Sequence, residues 1–269
     1  MSDQNNWNPW FAPLALVSAL VLEVVVGFVV LLIGLGVHPT QAQLNNPPPA
    51  VTDVSTGLGE ACFVAVAIWL ASLRGRPWPA QFGMRRPAVG VLKVFLFVAG
   101  GYITFLVLAA IWTAIVNTSA NEKYLVKDVG ATHAGTLGIL ASVLVLCVIA
   151  PFCEEFLFRG FIFGALRNWR GPVLATLITG VLFGAVHAGS APAVDLVPLA
   201  GLGMILCVIR QLTGSIYPGV VMHMLNNSIA LVVNASWSFA AFCAVFAASL
   251  ALLGSLLMLA QRGLREELV

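Results

Sequence analysis

Charge is what this sequence has least of. Of 269 residues, 13 are Lys or Arg and 11 are Asp or Glu, 9% in all, against roughly a quarter in a soluble domain. That excludes a solvated globular surface. A net charge of +2 also excludes the basic footprint of a nucleic-acid binder, so no nucleic-acid partner is expected. No low-complexity tract or repeated unit occurs, which removes solenoids and arrays. The five cysteines (Cys62, Cys147, Cys153, Cys207, Cys243) all fall in apolar stretches, where they serve as small packing residues rather than a disulfide framework. Residues before Trp10 include no Lys or Arg, so the first apolar run lacks the basic flank of a cleaved signal and is too long for one. His-Glu-x-x-His, the helical zinc-protease signature, is missing as well.

What remains is apolar: 60% of the chain is hydrophobic. Eight segments approach or exceed the ~20 residues that span lipid: Trp10 to Gly36, Leu58 to Leu73, Val89 to Val116, Leu137 to Leu166, Val173 to Ala188, Asp195 to Ile209, Ser215 to Val233 and Phe239 to Leu259. The connectors carry turn residues, as in Asn45 to Pro49, Arg74 to Pro77, Arg170 to Pro172 and Thr213-Gly214. The expected fold is an all-α polytopic bundle of about eight spans. Residues 1–134 hold three helices without a recognisable motif, and 135–269 hold the functional core and a C-terminal helix. With both termini inside, Arg74, Arg76, Arg85, Arg86, Lys93, Arg159, Arg167, Arg170, Arg210, Arg262 and Arg265 fall on the cytoplasmic side, and only Lys123 and Lys127 outside.

Against that background a few polar residues stand out, since a carboxylate at bilayer depth costs several kcal/mol unless paired, protonated or facing water. Glu154 and Glu155 interrupt one apolar run; His187 and the pair His223 and Asn227 interrupt others. Each of Glu154, His187 and His223 lies roughly 20 Å from the cytoplasmic end of its helix at 1.5 Å per residue. A common depth is what convergence on one cavity requires. Glu155 and Arg159 are spaced i, i+4 with the acid first, the favourable order for a helical ion pair. Glu154, about 100° round the helix, is left free. His223 and Asn227 share one stripe, where both can aim donors at a single oxygen, and Phe183 sits four residues before His187.

The three patterns Glu154-Glu155-x-x-x-Arg159, Phe183-x-x-x-His187 and His223-x-x-x-Asn227 resemble, in order, the motifs of the type II CAAX-prenyl protease family of intramembrane proteases, whose bacterial branch is called CPBP or ABI. The likeness spans about 75 residues, and Phe82-Gly83-Met84-Arg85-Arg86 is similar to an upstream family feature. It implies an intramembrane endopeptidase, integral to a bacterial inner membrane, that cuts near the C-terminus of a peptide or lipidated protein substrate. Glu154 with His187 would activate the water, His223 with Asn227 would hold the oxyanion, and Glu155 and Arg159 would support them. No cofactor is expected, although one Glu and two His also match a three-ligand zinc site. Two other functions use the same residues: a catalytically silent self-immunity or scaffold protein, and a proton-coupled transporter.

Other polar positions carry lesser expectations. Glu23 and Glu60 either line a substrate cavity or are hydrogen-bonded structural acids. His38 and His133 sit in outer loops, and Asp195 caps a helix. Pro151 is expected to kink its helix, and Gly180, Gly184, Gly201 and Gly203 to permit close helix approach.

Overall fold

The computed structural model describes residues 7–116 and 135–266; Lys123, Lys127 and His133 lie outside them. It is a bundle of helices, with no extended strand among the described residues. The elements are α1 (Phe11–Leu35), a short α2 (Gln41–Asn45), α3 (Pro49–Ser72), α4 (Val91–Val116), α5 (Thr136–Leu144), α6 (Ala150–Glu155), α7 (Phe163–Val186), α8 (Leu196–Thr213), α9 (Tyr217–Asn234) and α10 (Phe239–Glu266). Val21, Val24, Val25 and Phe28 on α1 and Val91, Leu92, Phe95 and Ile103 on α4 stand more than half exposed, an apolar surface that only lipid tolerates over such an area.

Six helical stretches are long and apolar enough to cross a membrane, and one of them is Thr136–Val186. That stretch contributes two crossings, because it turns back at Arg170 and Gly171, where Gly171 takes φ +80°. Phe158 and Phe183 would lie roughly 37 Å apart on a straight helix, yet their ring centroids are 5.2 Å apart. The eighth segment, α9, is interrupted by its own His223, Asn226 and Asn227. The chain is thus a multi-pass integral membrane protein, with the expected eight segments recovered.

Two local departures have local causes. Helix α3 begins at Pro49, nine residues before the apolar run at Leu58, because Pro49 is set for the first helical position; polar Thr52, Asp53 and Ser55 hide that turn from hydropathy. Asp53 there accepts from Ser142 Oγ at 3.0 Å. Asp195 occupies the cap position of α8, but its side chain accepts no capping hydrogen bond, so the capping expected of it is confined to its position.

Glycine sets the distance between α7 and α8. A Cβ on Gly184 would stand 2.5 Å from Leu196 O, and one on Gly203 would stand 2.9 Å from Phe183 Cβ. Gly180 likewise faces Met204 and Ala200 O. Gly201 does not belong to this contact, since a Cβ there would meet nothing within 4 Å. The N-terminal part packs on the core through aromatic rings: Phe82 stacks on Phe156 at 4.5 Å, and Trp7 reaches Phe161 at 4.6 Å. This gives Phe82-Gly83-Met84-Arg85-Arg86 a structural task, anchoring the loop after α3 to the core.

Candidate active site

The site begins with a disturbance of helical hydrogen bonding around Pro151. Residues Val145–Ile149 form a π-helical turn in which Ala150 N–H donates to Val145 O, five residues back. Leu146 O thereby loses its usual donor, Ala150, and the next candidate, Pro151, has no N–H. The amide of Asn227 fills that place, donating from Nδ2 to Leu146 O at 2.9 Å. Proline therefore acts here through a π turn, the kind of irregularity that recurs at functional sites, and Asn227 ties α9 to it. A second π turn, Phe156–Ile162, follows the two glutamates at the end of α6.

Glu155 and Arg159 form the expected pair. Arg159 Nη1 donates to Glu155 Oε1 at 2.7 Å, and both side chains are 0% exposed. Nη2 donates to Gly203 O at 3.0 Å, which the glycine-lined approach of α8 permits, and the guanidinium lies 4.3 Å from the Phe183 ring centroid. With Arg159 so engaged, Glu154 faces away from it. Glu154 is buried, and its Oε2 has no hydrogen-bond partner. His223 stands between the two carboxylates, with Nε2 3.9 Å from Glu154 Oε2 and Nδ1 3.4 Å from Glu155 Oε1. Those separations are longer than hydrogen bonds. This placement of His223 is not visible in the sequence, which joins it to Asn227 alone.

Helix α9 comes this close because of Gly219, one turn before His223. A Cβ at Gly219 would stand 2.7 Å from Glu155 Oε2. Gly219→Ala is therefore expected to displace the Glu155 carboxylate and destabilise the protein by about 1–3 kcal/mol, the usual range for overpacking; thermal denaturation in detergent measures it, and an unchanged midpoint would mean that the carboxylate moves aside freely.

His187 ends α7, half-buried, with Nδ1 2.8 Å from Phe183 O. A carbonyl only accepts, so Nδ1 carries a proton, and in the neutral ring Nε2 presents the lone pair. Phe183 is the hub: its ring centroid is 5.0 Å from that of His187 and 5.5 Å, edge to face, from that of His223. All three sequence patterns thus meet around one ring. His187 and Glu154 are joined by no ion pair among the described residues, and Asn227 turns to Leu146 O rather than to an oxygen shared with His223. Two further acids, Glu60 on α3 and Glu23 on α1, lie within electrostatic reach of Glu154. Glu60 is buried with Oε2 unpartnered, and Glu23 packs across Gly59, where a Cβ would meet its Cγ at 2.9 Å. The expectation of hydrogen-bonded structural acids does not describe Glu60; both line the carboxylate side of the site.

Zinc needs convergent donors, and among the described residues no three His, Cys, Asp or Glu side chains are grouped to hold a metal ion. Cys62, Cys147, Cys153 and Cys207 are buried and unbridged, and Cys243 is exposed and unbridged.

Residues 136–229 match the family model described as "Type II CAAX prenyl endopeptidase Rce1-like". Among curated proteins, UPF0177 protein YxdF of Lactococcus lactis subsp. lactis (strain IL1403) is 46% identical over 55 residues, 20% of this chain and 29% of that protein. The chain thus spans under a third of that relative's length. The uncharacterized protein YyaK of Bacillus subtilis (strain 168) is 25% identical over 238 residues, 82% of this chain and 75% of its own. YdiL of the same organism, provisionally named a membrane peptidase, is 26% identical over 181 residues, covering 65% and 68%. No solved structure matches. The matched segment holds all three motifs with the π turns and glycines that assemble them, and over residues 136–229 the chain is similar to the Rce1-like type II CAAX prenyl endopeptidases.

Proposed function

We propose that the protein is an intramembrane endopeptidase of a bacterial inner membrane, with both termini cytoplasmic, acting on a peptide or lipidated protein by a water that Glu154 activates. The observation that carries this is the buried, unpartnered Oε2 of Glu154 facing His223, while Glu155 pairs with the neighbouring Arg159. One carboxylate is spent on structure; the other is kept for a proton.

Peptide hydrolysis needs a base for water, donors for the developing oxyanion and a proton for the leaving amine. Water oxygen attacks the carbonyl carbon as Glu154 takes its proton, with the His187 Nε2 lone pair as second acceptor for that water. His223, its Nδ1 turned to Glu155, directs Nε2 toward the reacting centre, where an N–H there holds the oxyanion. Asn227 keeps α9 in register through Leu146 O and has its second amide N–H left for the same oxygen. Collapse of the intermediate breaks the C–N bond, and Glu154 returns the proton to the amine. The long His223 separations fit a site that tightens around substrate.

The test is cleavage of quenched CAAX-type and leader-like peptides by purified protein in detergent, for wild type and His187→Ala, each with and without a strong chelator. Wild type is expected to cleave with the chelator present, and His187→Ala to lose about 100-fold or more. Loss with chelator and rescue by zinc would overturn the metal-free mechanism. If no peptide is cut and His187→Ala keeps the cellular immunity phenotype at normal protein level, the peptidase proposal gives way to a binding protein.

A further inference from the structure

Two acids beside Glu154 have no part in the hydrolysis. Glu60, on α3, is 8% exposed, and its Oε2 is buried without a hydrogen-bond partner. Glu23, on α1, is partly exposed and packs over Gly59, where a Cβ would stand 2.9 Å from its Cγ and 3.5 Å from its Oε1. The missing side chain at Gly59 thus brings Glu23 against the turn that carries Glu60. Glu60 lies within electrostatic reach of both Glu23 and Glu154, so acids from α1, α3 and α6 line one side of the site.

The chain supplies no cation to the two outer acids. Among the described residues, the ion pairs at this level join Arg159 to Glu155 and His223 to Glu154 and Glu155, and none reaches Glu23 or Glu60. Arg159 turns its remaining amino group to Gly203 O, away from them. A carboxylate so placed is disfavoured unless a cation comes to it. Both acids also lie outside residues 136–229, on helices that carry none of the three motifs, which suits choosing a substrate rather than breaking its bond.

We infer that Glu60 and Glu23 form the subsite for a basic side chain, Lys or Arg, of a peptide substrate, beside the bond that Glu154 attacks. The row is graded, Glu23 partly exposed and Glu60 buried. A long side chain passes the first and ends on the second, its charged tip donating to Glu60 Oε2 and its apolar stem lying along the helices. A neutral residue in the same place leaves the buried acid unpaired, so the discrimination is large. The inference rests on the peptidase proposal for the reaction, but not for the binding.

The experiment uses the full chain in detergent and CAAX-type and leader-like peptides that differ at one position, Lys against Gln, with that position moved along the peptide. Binding is read by fluorescence anisotropy of labelled peptides and cleavage with quenched ones. Wild type is compared with Glu60→Gln and, in case the buried change prevents folding, with the partly exposed Glu23→Gln. At one position wild type is expected to favour Lys over Gln by about 30-fold or more in affinity and in kcat/KM, the effect of a buried charge pair, and both variants to lose most of that ratio. The ratio is taken within one preparation, so partial unfolding does not alter it. Cleavage without a Lys preference, or with one that both variants keep, overturns the inference and leaves the peptidase proposal standing. A Lys preference in binding that the variants lose, with no peptide cut, supports the subsite and overturns the peptidase proposal instead. If no peptide is bound or cut, both fall.

Discussion

Glu154→Gln is expected to lower peptidase turnover by about 100- to 10,000-fold, the range attributed to a positioned general base, while leaving the thermal midpoint unchanged or raising it. The two halves of this expectation have one cause. Glutamine keeps the shape of glutamate but cannot take a proton from water. It also removes a carboxylate from a position where Oε2 is buried with no partner, a placement that is unfavourable in the resting protein. Catalytic residues often carry this signature, costing stability and supplying rate. Turnover on the cleaved peptide and the midpoint of the same preparation measure both sides. A variant that keeps turnover within a few-fold of wild type would remove Glu154 from the mechanism. Its neighbour is the control: Glu155→Gln is expected to lose stability as well as rate, because it weakens the pair with Arg159.

The second large effect is on folding. Arg159→Met is expected to destabilise the protein by about 3–5 kcal/mol, since removing one partner of a buried pair strands the other charge. Here the stranded group is Glu155, 0% exposed, and Gly203 O loses a donor at the same time. The double variant Glu155→Leu/Arg159→Met is expected to recover most of that loss, because replacing both partners by apolar groups of similar size is often neutral. The difference between the double change and the sum of the single ones gives the coupling. If the double variant unfolds as readily as Arg159→Met alone, the cost lies in the lost packing of the guanidinium on Phe183, 4.3 Å away, and not in the stranded carboxylate. Peptidase activity in the double variant is expected to fall as well, since the carboxylate 3.4 Å from His223 Nδ1 would be gone.

The two variants also bear on how the site is written into the chain. That Glu155 takes Arg159 and leaves Glu154 free follows from spacing, because residues four apart on a helix are neighbours whatever surrounds them. The pair forms even though the helix widens into a π turn at Phe156. His223 is different. Its place between the carboxylates depends on how near α9 comes to α6, and that depends on Gly219 and on the amide bond from Asn227 to Leu146 O. The sequence marks Pro151 as an irregularity, but it does not say that the vacated carbonyl will be met by a side chain 81 residues later. Nor could the apolar count indicate that Glu23 and Glu60, outside the matched segment, would face Glu154. The pairing of distant helices carries no periodic signal.

The sequence by itself determined the membrane class, the eight apolar segments, the neutralised glutamate and the set of polar residues that must be accounted for at bilayer depth. These are matters of composition and of contacts within one or two helical turns, where 1.5 Å per residue leaves little freedom. The tertiary structure decided the rest: the reversal at Gly171 that brings Phe183 onto Phe158, the glycine contacts that set α8 beside α7 and α9 beside Glu155, and the closing of Arg210 over Gly83. Each depends on whether a missing side chain lets two distant backbones meet, and that is settled only when both surfaces are in place.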